Sequence, residues 1–95
     1  MQRKRVKQLS RLILQASDRE ELETLLQGLL TPGELEEVVN RWRLMVMLLE
    51  GRTQRDISQD LGISLGKIAR GSRLLKYGPA AFRRLAARMA ENQEG

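Results

Sequence analysis

The chain has 95 residues, the size of a single domain, and carries a net charge of +5. It contains no cysteine and no histidine, which excludes or disfavours zinc fingers, thiol catalysis, imidazole acid–base chemistry and disulfide frameworks. Aromatic residues make up only 3% of the sequence, which argues against binding of single-stranded nucleic acid by base stacking.

Hydropathy and charge vary along the chain. The sequence has no apolar run of about 18 residues and no signal-peptide pattern, which predicts a soluble, cytoplasmic protein. Residues 1–16 hold five bases and no acid, residues 17–50 hold eight acids and three bases, and residues 51–95 hold nine bases and four acids. DNA would therefore repel the middle of the chain and attract both ends.

Residues 1–16 have the pattern of an amphipathic helix, with Val6, Leu9, Ile13 and Ala16 at three- and four-residue spacing. The opposite face of this helix is basic. Two interpretations stay open: a solvated packing helix, or a basic arm that contacts DNA phosphates.

A second helix is predicted to begin behind the capping pair Asp18 and Glu21 and to end at Leu30. The third has the clearest start in the sequence, because Thr31 suits the N-cap and Pro32 suits the first helical position. It runs to Leu49, and its apolar surface is wider than one face: Leu35, Val38, Val39, Trp42, Leu44, Met45, Val46, Met47, Leu48 and Leu49. So much apolar surface in a small chain predicts burial against a second copy, and hence a homodimer.

Residues 52–77 are predicted to form a helix-turn-helix. Thr53 and Asp56 match a capping arrangement at the start of its first helix. Gly62 can adopt the positive φ that ends this helix, and Ser64 can cap the second one. An inward apolar face follows from the spacing of Ile57, Leu61, Ile63 and Ile68.

The charge of the helix-turn-helix favours a nucleic-acid partner. Residues 52–77 carry six Lys and Arg side chains against two Asp. A basic stretch is often only a solvated face, and two packing helices without a further role remain an alternative. Because the charge coincides with the helix-turn-helix pattern, we expect binding to double-stranded DNA.

A last helix is predicted after Gly78-Pro79, with residues 91–95 frayed. Its inner residues would be Phe82, Leu85, Ala86 and Met89, with Arg83, Arg84 and Arg88 outside. The sequence thus predicts an all-α fold of six helices in one domain, residues 1–95. Its parts would be a dimerisation core at 1–51, the helix-turn-helix at 52–77 and a C-terminal packing helix at 78–91.

Several segments resemble the tryptophan repressor family over residues 29–77. They are Leu30-Thr31-Pro32, Arg41, Leu48-Leu49-Glu50-Gly51, Thr53-Gln54-Arg55-Asp56-Ile57 and Ile68-Ala69-Arg70-Gly71-Ser72-Arg73-Leu74-Leu75-Lys76. The glycine within the last segment is a specific signal, because glycine inside a helix costs about 1 kcal/mol. The resemblance implies a Trp-repressor-like fold, an intertwined homodimer, L-tryptophan as corepressor and a palindromic DNA operator.

The resemblance also implies a ligand site. Arg41 and Arg70 would flank the indole ring and hold the ligand carboxylate, which suits the chemistry of guanidinium groups. Leu30 and Thr31 of the partner subunit would meet the amino end of the ligand. Gly71 would leave space for the ring.

Some positions depart from the family pattern. Leu74 stands where the family often has a small hydroxyl residue that receives the ligand ammonium, and losing such a hydrogen bond costs about 1.5–3 kcal/mol. We therefore expect a preference for an indole acid without the amino group. Lys67 replaces a frequent threonine, which predicts altered operator reading, and the loop after Gly51 is one residue shorter. For Arg41, an ion pair with Glu37 one turn away is the alternative role.

The leading interpretation is a sequence-specific, dimeric DNA-binding repressor that responds to L-tryptophan or a related indole acid. The predicted DNA-facing residues are Gln54, Arg55 and Lys76 at phosphates, and Ser64, Leu65, Gly66, Lys67 and Ala69 at base edges. Two alternatives are a ligand-independent regulator of the same fold and a protein-interaction module that uses the acidic middle of the chain. An enzyme is disfavoured, because the chain lacks His, Cys and a phosphate-binding glycine loop. The operator, the choice between the two ligands and the sign of regulation stay open.

Overall fold

A computed structural model of the chain describes residues 2–92. Within this range the chain forms six α-helices and no strand, which confirms the predicted all-α fold. The helices are α1 (Gln2–Leu14), α2 (Arg19–Leu29), α3 (Pro32–Leu49), α4 (Gln54–Leu61), α5 (Leu65–Tyr77) and α6 (Ala80–Glu91). None of these helices is long and apolar enough to cross a membrane. The fraying predicted for residues 91–95 falls mainly on 93–95, outside the described residues.

The predicted capping residues begin α2 and α3. Asp18 Oδ1 accepts a hydrogen bond from the Glu21 N–H at 2.9 Å. Thr31 and Glu34 form a reciprocal capping box, with donor–acceptor distances of 3.1 Å and 2.9 Å. Glu21 Oε1 accepts from the backbone N–H of Ser17 at 2.8 Å, and this hydrogen bond lowers the pKa of the Glu21 carboxyl below its ordinary value.

The chain divides into two compact units, residues 1–36 and 37–95. In the first unit, none of the described residues 2–36 is buried. Its apolar side chains are half-buried at best, and several are strongly exposed: Val6 is 61% exposed, Leu9 49% and Leu14 82%.

The second unit has a small hydrophobic core. Leu44 from α3, Ile57 from α4 and Ile68 from α5 are buried and form one cluster. Partly buried apolar side chains surround them: Met45, Met47, Leu48, Leu61 and Ile63. Leu75 of α5 and Ala86 of α6 are buried as well. This core fixes α5 relative to α4 and to the second half of α3.

Two glycines with positive φ shape the connections on either side of α4. Gly51 has φ 87° in the loop after α3, and Gly62 has φ 66° at the end of α4, where the sequence predicted it. The loop after α3 is further held by Arg52, whose N–H donates to the Met47 carbonyl at 3.1 Å. The Arg52 guanidinium also pairs with Asp60 of α4 at 3.0 Å.

Candidate nucleic-acid interface and ligand site

The turn between α4 and α5 is held by short-range hydrogen bonds. Thr53 Oγ1 accepts from the Asp56 N–H at 3.1 Å and begins α4, while Ser64 Oγ accepts from the Lys67 N–H at 3.3 Å and begins α5. Ser58 Oγ donates to the Ile63 carbonyl at 2.7 Å, which ties the body of α4 to the turn. This hydrogen bond was not predicted from the sequence. A hydroxyl five residues before a turn carbonyl was the available signal.

The buried side of α5 determines which of its residues face solvent. Ile68 is 0% exposed and packs into the core, so the first turn of the helix points outward. Leu65 is 51% exposed, and Ser64, Gly66 and Lys67 are exposed too. Ala69 is half-buried, which leaves it less accessible than the four residues before Ile68.

The predicted phosphate contacts differ in accessibility. Arg55 and Lys76 are exposed, whereas Gln54 is half-buried. Among residues 2–92, no carboxylate forms an ion pair with Arg55, Arg70, Arg73 or Lys76. Arg52 instead pairs with Asp60, so part of the positive charge counted from the sequence is neutralised locally.

One acidic residue lies between two predicted site residues. Glu37 Oε2 is 3.1 Å from a terminal nitrogen of Arg41, the ion pair that the sequence offered as an alternative role for this arginine. The other oxygen, Oε1, is 3.9 Å from Lys67 Nζ at the start of α5. The structure therefore brings Arg41 of α3 and Lys67 of α5 to the same carboxylate.

The remaining predicted ligand residues lie in both units. In the second unit, Arg70 is exposed and Leu74 is 36% exposed. Gly71 is buried, and a Cβ on it would lie 2.5 Å from Leu44 Cδ1. Close packing of α5 on α3 thus explains this glycine without a ligand. In the first unit, Leu30 is half-buried, and Thr31 is exposed and caps α3. The ligand roles of these residues stay predictions.

Arg83 of α6 has a contact that the sequence did not suggest. Its guanidinium donates to the carbonyls of Leu75 and Lys76, both at 3.4 Å. A cation at these carbonyls complements the negative end of the α5 dipole. The available signal was a basic residue shortly after the break at Gly78.

The fold and the exposed start of α5 define an all-α protein of the helix-turn-helix class. The sequence profile of the family described as Trp repressor protein matches residues 4–90. The chain therefore belongs to this family, whose members are DNA-binding transcriptional repressors.

Similar proteins are described as Trp operon repressor homologs. The chain is 46% identical over 66 residues to a Trp operon repressor homolog of Vibrio cholerae, a match that covers 68% of this chain and 64% of that protein. It is 41% identical over 70 residues to a Trp operon repressor homolog of Vibrio campbellii, with 73% and 70% covered. For a Trp operon repressor homolog of Chlamydia trachomatis, the identity is 38% over 63 residues, with 65% and 67% covered.

Proposed function

We propose that the chain is a dimeric transcription repressor that binds a palindromic operator and responds to an indole acid. The exposed first turn of α5 carries this proposal. Ser64 caps this turn, and Ile68 anchors it in the core. A helix whose inner face packs against the core and whose first turn is exposed has the geometry that helix-turn-helix proteins use in the major groove.

The roles at the DNA follow from exposure and charge. Ser64, Leu65, Gly66 and Lys67 are exposed and would face base edges. Ala69 would lie at the margin of the contact because it is half-buried. Phosphates would be contacted by Gln54, Arg55 and Lys76. In a dimer, two such helices require half-sites about one helical turn, or about 34 Å, apart.

Dimerisation is supported by the apolar surface that one chain leaves exposed. Val6 and Leu9 of α1 and Val38 and Val39 of α3 are between 46% and 61% exposed. Exposed apolar side chains on neighbouring positions of a helix favour burial against another surface. A homodimer that reads operator DNA would act in the cytoplasm.

The proposed corepressor is L-tryptophan or an indole acid without the amino group. Arg41 and Arg70 would hold the carboxylate and flank the ring. Leu30 and Thr31 of the partner subunit would meet the amino end of the ligand, and Gly71 would leave space for the ring. Leu74 offers no acceptor for an ammonium group, which favours the des-amino acid. Calorimetry tests this preference: tighter binding of L-tryptophan than of indole-3-propionate would contradict it.

A second candidate is a ligand-independent regulator of the same fold. Two observations favour it: Arg41 already pairs with Glu37 at 3.1 Å, and Leu44 packs against Gly71. In that case the protein would bind its operator with the same affinity whether or not an indole compound is present.

Selection of duplexes from a random pool, with and without L-tryptophan or indole-3-propionate, tests both candidates. We expect a palindrome with half-sites one turn apart and tighter binding with ligand. Equal binding in all conditions would favour the ligand-independent regulator. Enrichment of no duplex would overturn the proposal.

The Lys67→Thr variant tests the role of this residue in the same selection. If Lys67 contacts DNA, the variant should change the preferred sequence or reduce the dependence of affinity on salt. An unchanged preference together with an unchanged salt dependence would remove Lys67 from the interface.

A further inference from the structure

Glu37 on α3 is shared by two cations that belong to different binding sites. One carboxylate oxygen is 3.1 Å from Arg41, and the other is 3.9 Å from Lys67. Under the proposed function, on which this inference rests, Arg41 receives the carboxylate of the ligand and Lys67 faces the DNA. The Glu37 carboxylate therefore lies where each site would receive an anion.

We propose that Glu37 competes with both anions and thereby couples their binding. A ligand carboxylate at Arg41 places a second negative charge beside Glu37 and repels it from the pair of cations. Once Glu37 has turned into solvent, Lys67 has lost its counter-charge and is available to DNA. Each anion must displace Glu37 from its contacts with Arg41 and Lys67. The anion that binds first displaces it, so the second anion binds more tightly.

Through this coupling the ligand strengthens DNA binding, as a corepressor does. Because linkage is reciprocal, DNA that engages Lys67 must tighten ligand binding by the same factor. A carboxylate-bearing ligand thus strengthens DNA binding through charge alone, in addition to any change in the angle of α5.

The exposure of the three side chains sets the size of the effect. Glu37 is 52% exposed, Arg41 60% and Lys67 62%, so solvent screens both ion pairs. Exposed pairs of this kind shift equilibria modestly, and we expect changes of roughly twofold to fivefold.

Glu37→Gln in the full chain tests the proposal, with Glu36→Gln as the matched control. Glu36 is the preceding residue of the same helix, and among residues 2–92 it forms no ion pair. Both variants remove one negative charge, so a general gain in attraction to DNA is the same in each. Any difference between them reports the contacts of Glu37.

The probes are the duplex recovered by selection and indole-3-propionate, whose charged group is a carboxylate alone. Without ligand, Glu37→Gln should bind the duplex roughly twofold to fivefold more tightly than Glu36→Gln. It should bind indole-3-propionate more tightly by a similar factor in calorimetry. The enhancement of duplex binding by the probe should shrink correspondingly.

Lys67→Met removes the ion pair between Glu37 and Lys67 and keeps the one between Glu37 and Arg41. In this background Glu37→Gln should affect duplex binding no more than the Glu36→Gln control does. It should still increase the affinity for indole-3-propionate. If Glu37→Gln equals Glu36→Gln in every measurement while the parent protein binds duplex and probe, the role of Glu37 is overturned and the repressor proposal stands. If the parent protein binds neither, both fail together.

Discussion

The two units of the chain differ in how their helices are stabilised. Residues 2–36 contain two helix starts with side-chain caps, at Asp18 and Thr31, yet none of these residues is buried. Residues 37–92 contain a core in which Ile57 and Ile68 are fully buried. Local hydrogen bonds are therefore enough to define where helices begin, while only the second unit buries side chains within one chain. The first unit needs a further apolar surface to do the same.

The largest effect should come from the core of the second unit. Ile68→Ala should lower the free energy of unfolding by about 2–5 kcal/mol, because it removes buried methyl groups and leaves a cavity. Leu65→Ala, in the same helix at 51% exposure, should change it by less than about 0.5 kcal/mol. Urea unfolding of the full chain measures both. Similar losses in the two variants would mean that the exposed start of α5 is packed in solution.

The next largest effect should come from the exposed apolar face of α1. Leu9 is 49% exposed in one chain, and a dimer should bury it. Leu9→Lys should then weaken self-association by about tenfold or more, since a charge at a dry interface costs more than 1.4 kcal/mol. Gln8→Lys adds the same charge at the neighbouring exposed position and should have little effect. Sedimentation equilibrium would contradict the dimer interface if both variants associate like the parent protein.

Two glycines of α5 allow a test of packing against helix propensity. At Gly71 an added Cβ would lie 2.5 Å from Leu44, whereas at Gly66 it would only reach Ser64 Oγ at 4.0 Å. Gly66→Ala should therefore stabilise the protein by about 1 kcal/mol. Gly71→Ala gains the same propensity but overpacks the core by about 1–3 kcal/mol, and should destabilise by about 1 kcal/mol.

Urea unfolding of the two alanine variants checks the sign of each change. A stabilising Gly71→Ala would show that Leu44 moves aside without loss. The packing of α5 on α3 would then not explain why position 71 is a glycine. Space for the ring of a bound indole ligand would become the stronger explanation.

The sequence predicted the features that depend on near neighbours. The N-caps at Thr53 and Ser64 and the positive φ of Gly62 were all identified correctly. Each of them is decided within about four residues of the chain, where side-chain chemistry and backbone geometry are coupled directly. The apolar spacing likewise placed Ile57 and Ile68 in the core.

Contacts between residues that lie far apart along the chain could not be predicted from the sequence. The pair of Arg41 with Glu37 was considered as an alternative role of Arg41 because the two residues lie one helical turn apart, but the contact of Glu37 with Lys67 was not predicted. That contact depends on how α5 packs on α3, and no spacing rule encodes it. The hydrogen bonds of Arg83 to the end of α5 arise in the same way from the packing of α6.

The smallest effect should appear in the first unit, as a pH dependence at Glu21. Its hydrogen bond from the Ser17 N–H holds the pKa of the Glu21 carboxyl below its ordinary value of 4.5. A depressed pKa means that the ionised form is preferred in the folded chain. Its contribution is therefore complete above 4.5 and is lost as the pH falls through the lowered pKa.

Glu21→Gln should therefore flatten the loss of stability in acid relative to the parent protein. Glu20→Gln, in the same first turn of α2, removes a charge of equal type without the Ser17 contact and should keep the acid dependence. Helix content followed by circular dichroism during urea unfolding at several acidic pH values distinguishes the two. If both variants lose stability in parallel with the parent chain, the hydrogen bond between Ser17 and Glu21 contributes nothing measurable to the stability of the first unit.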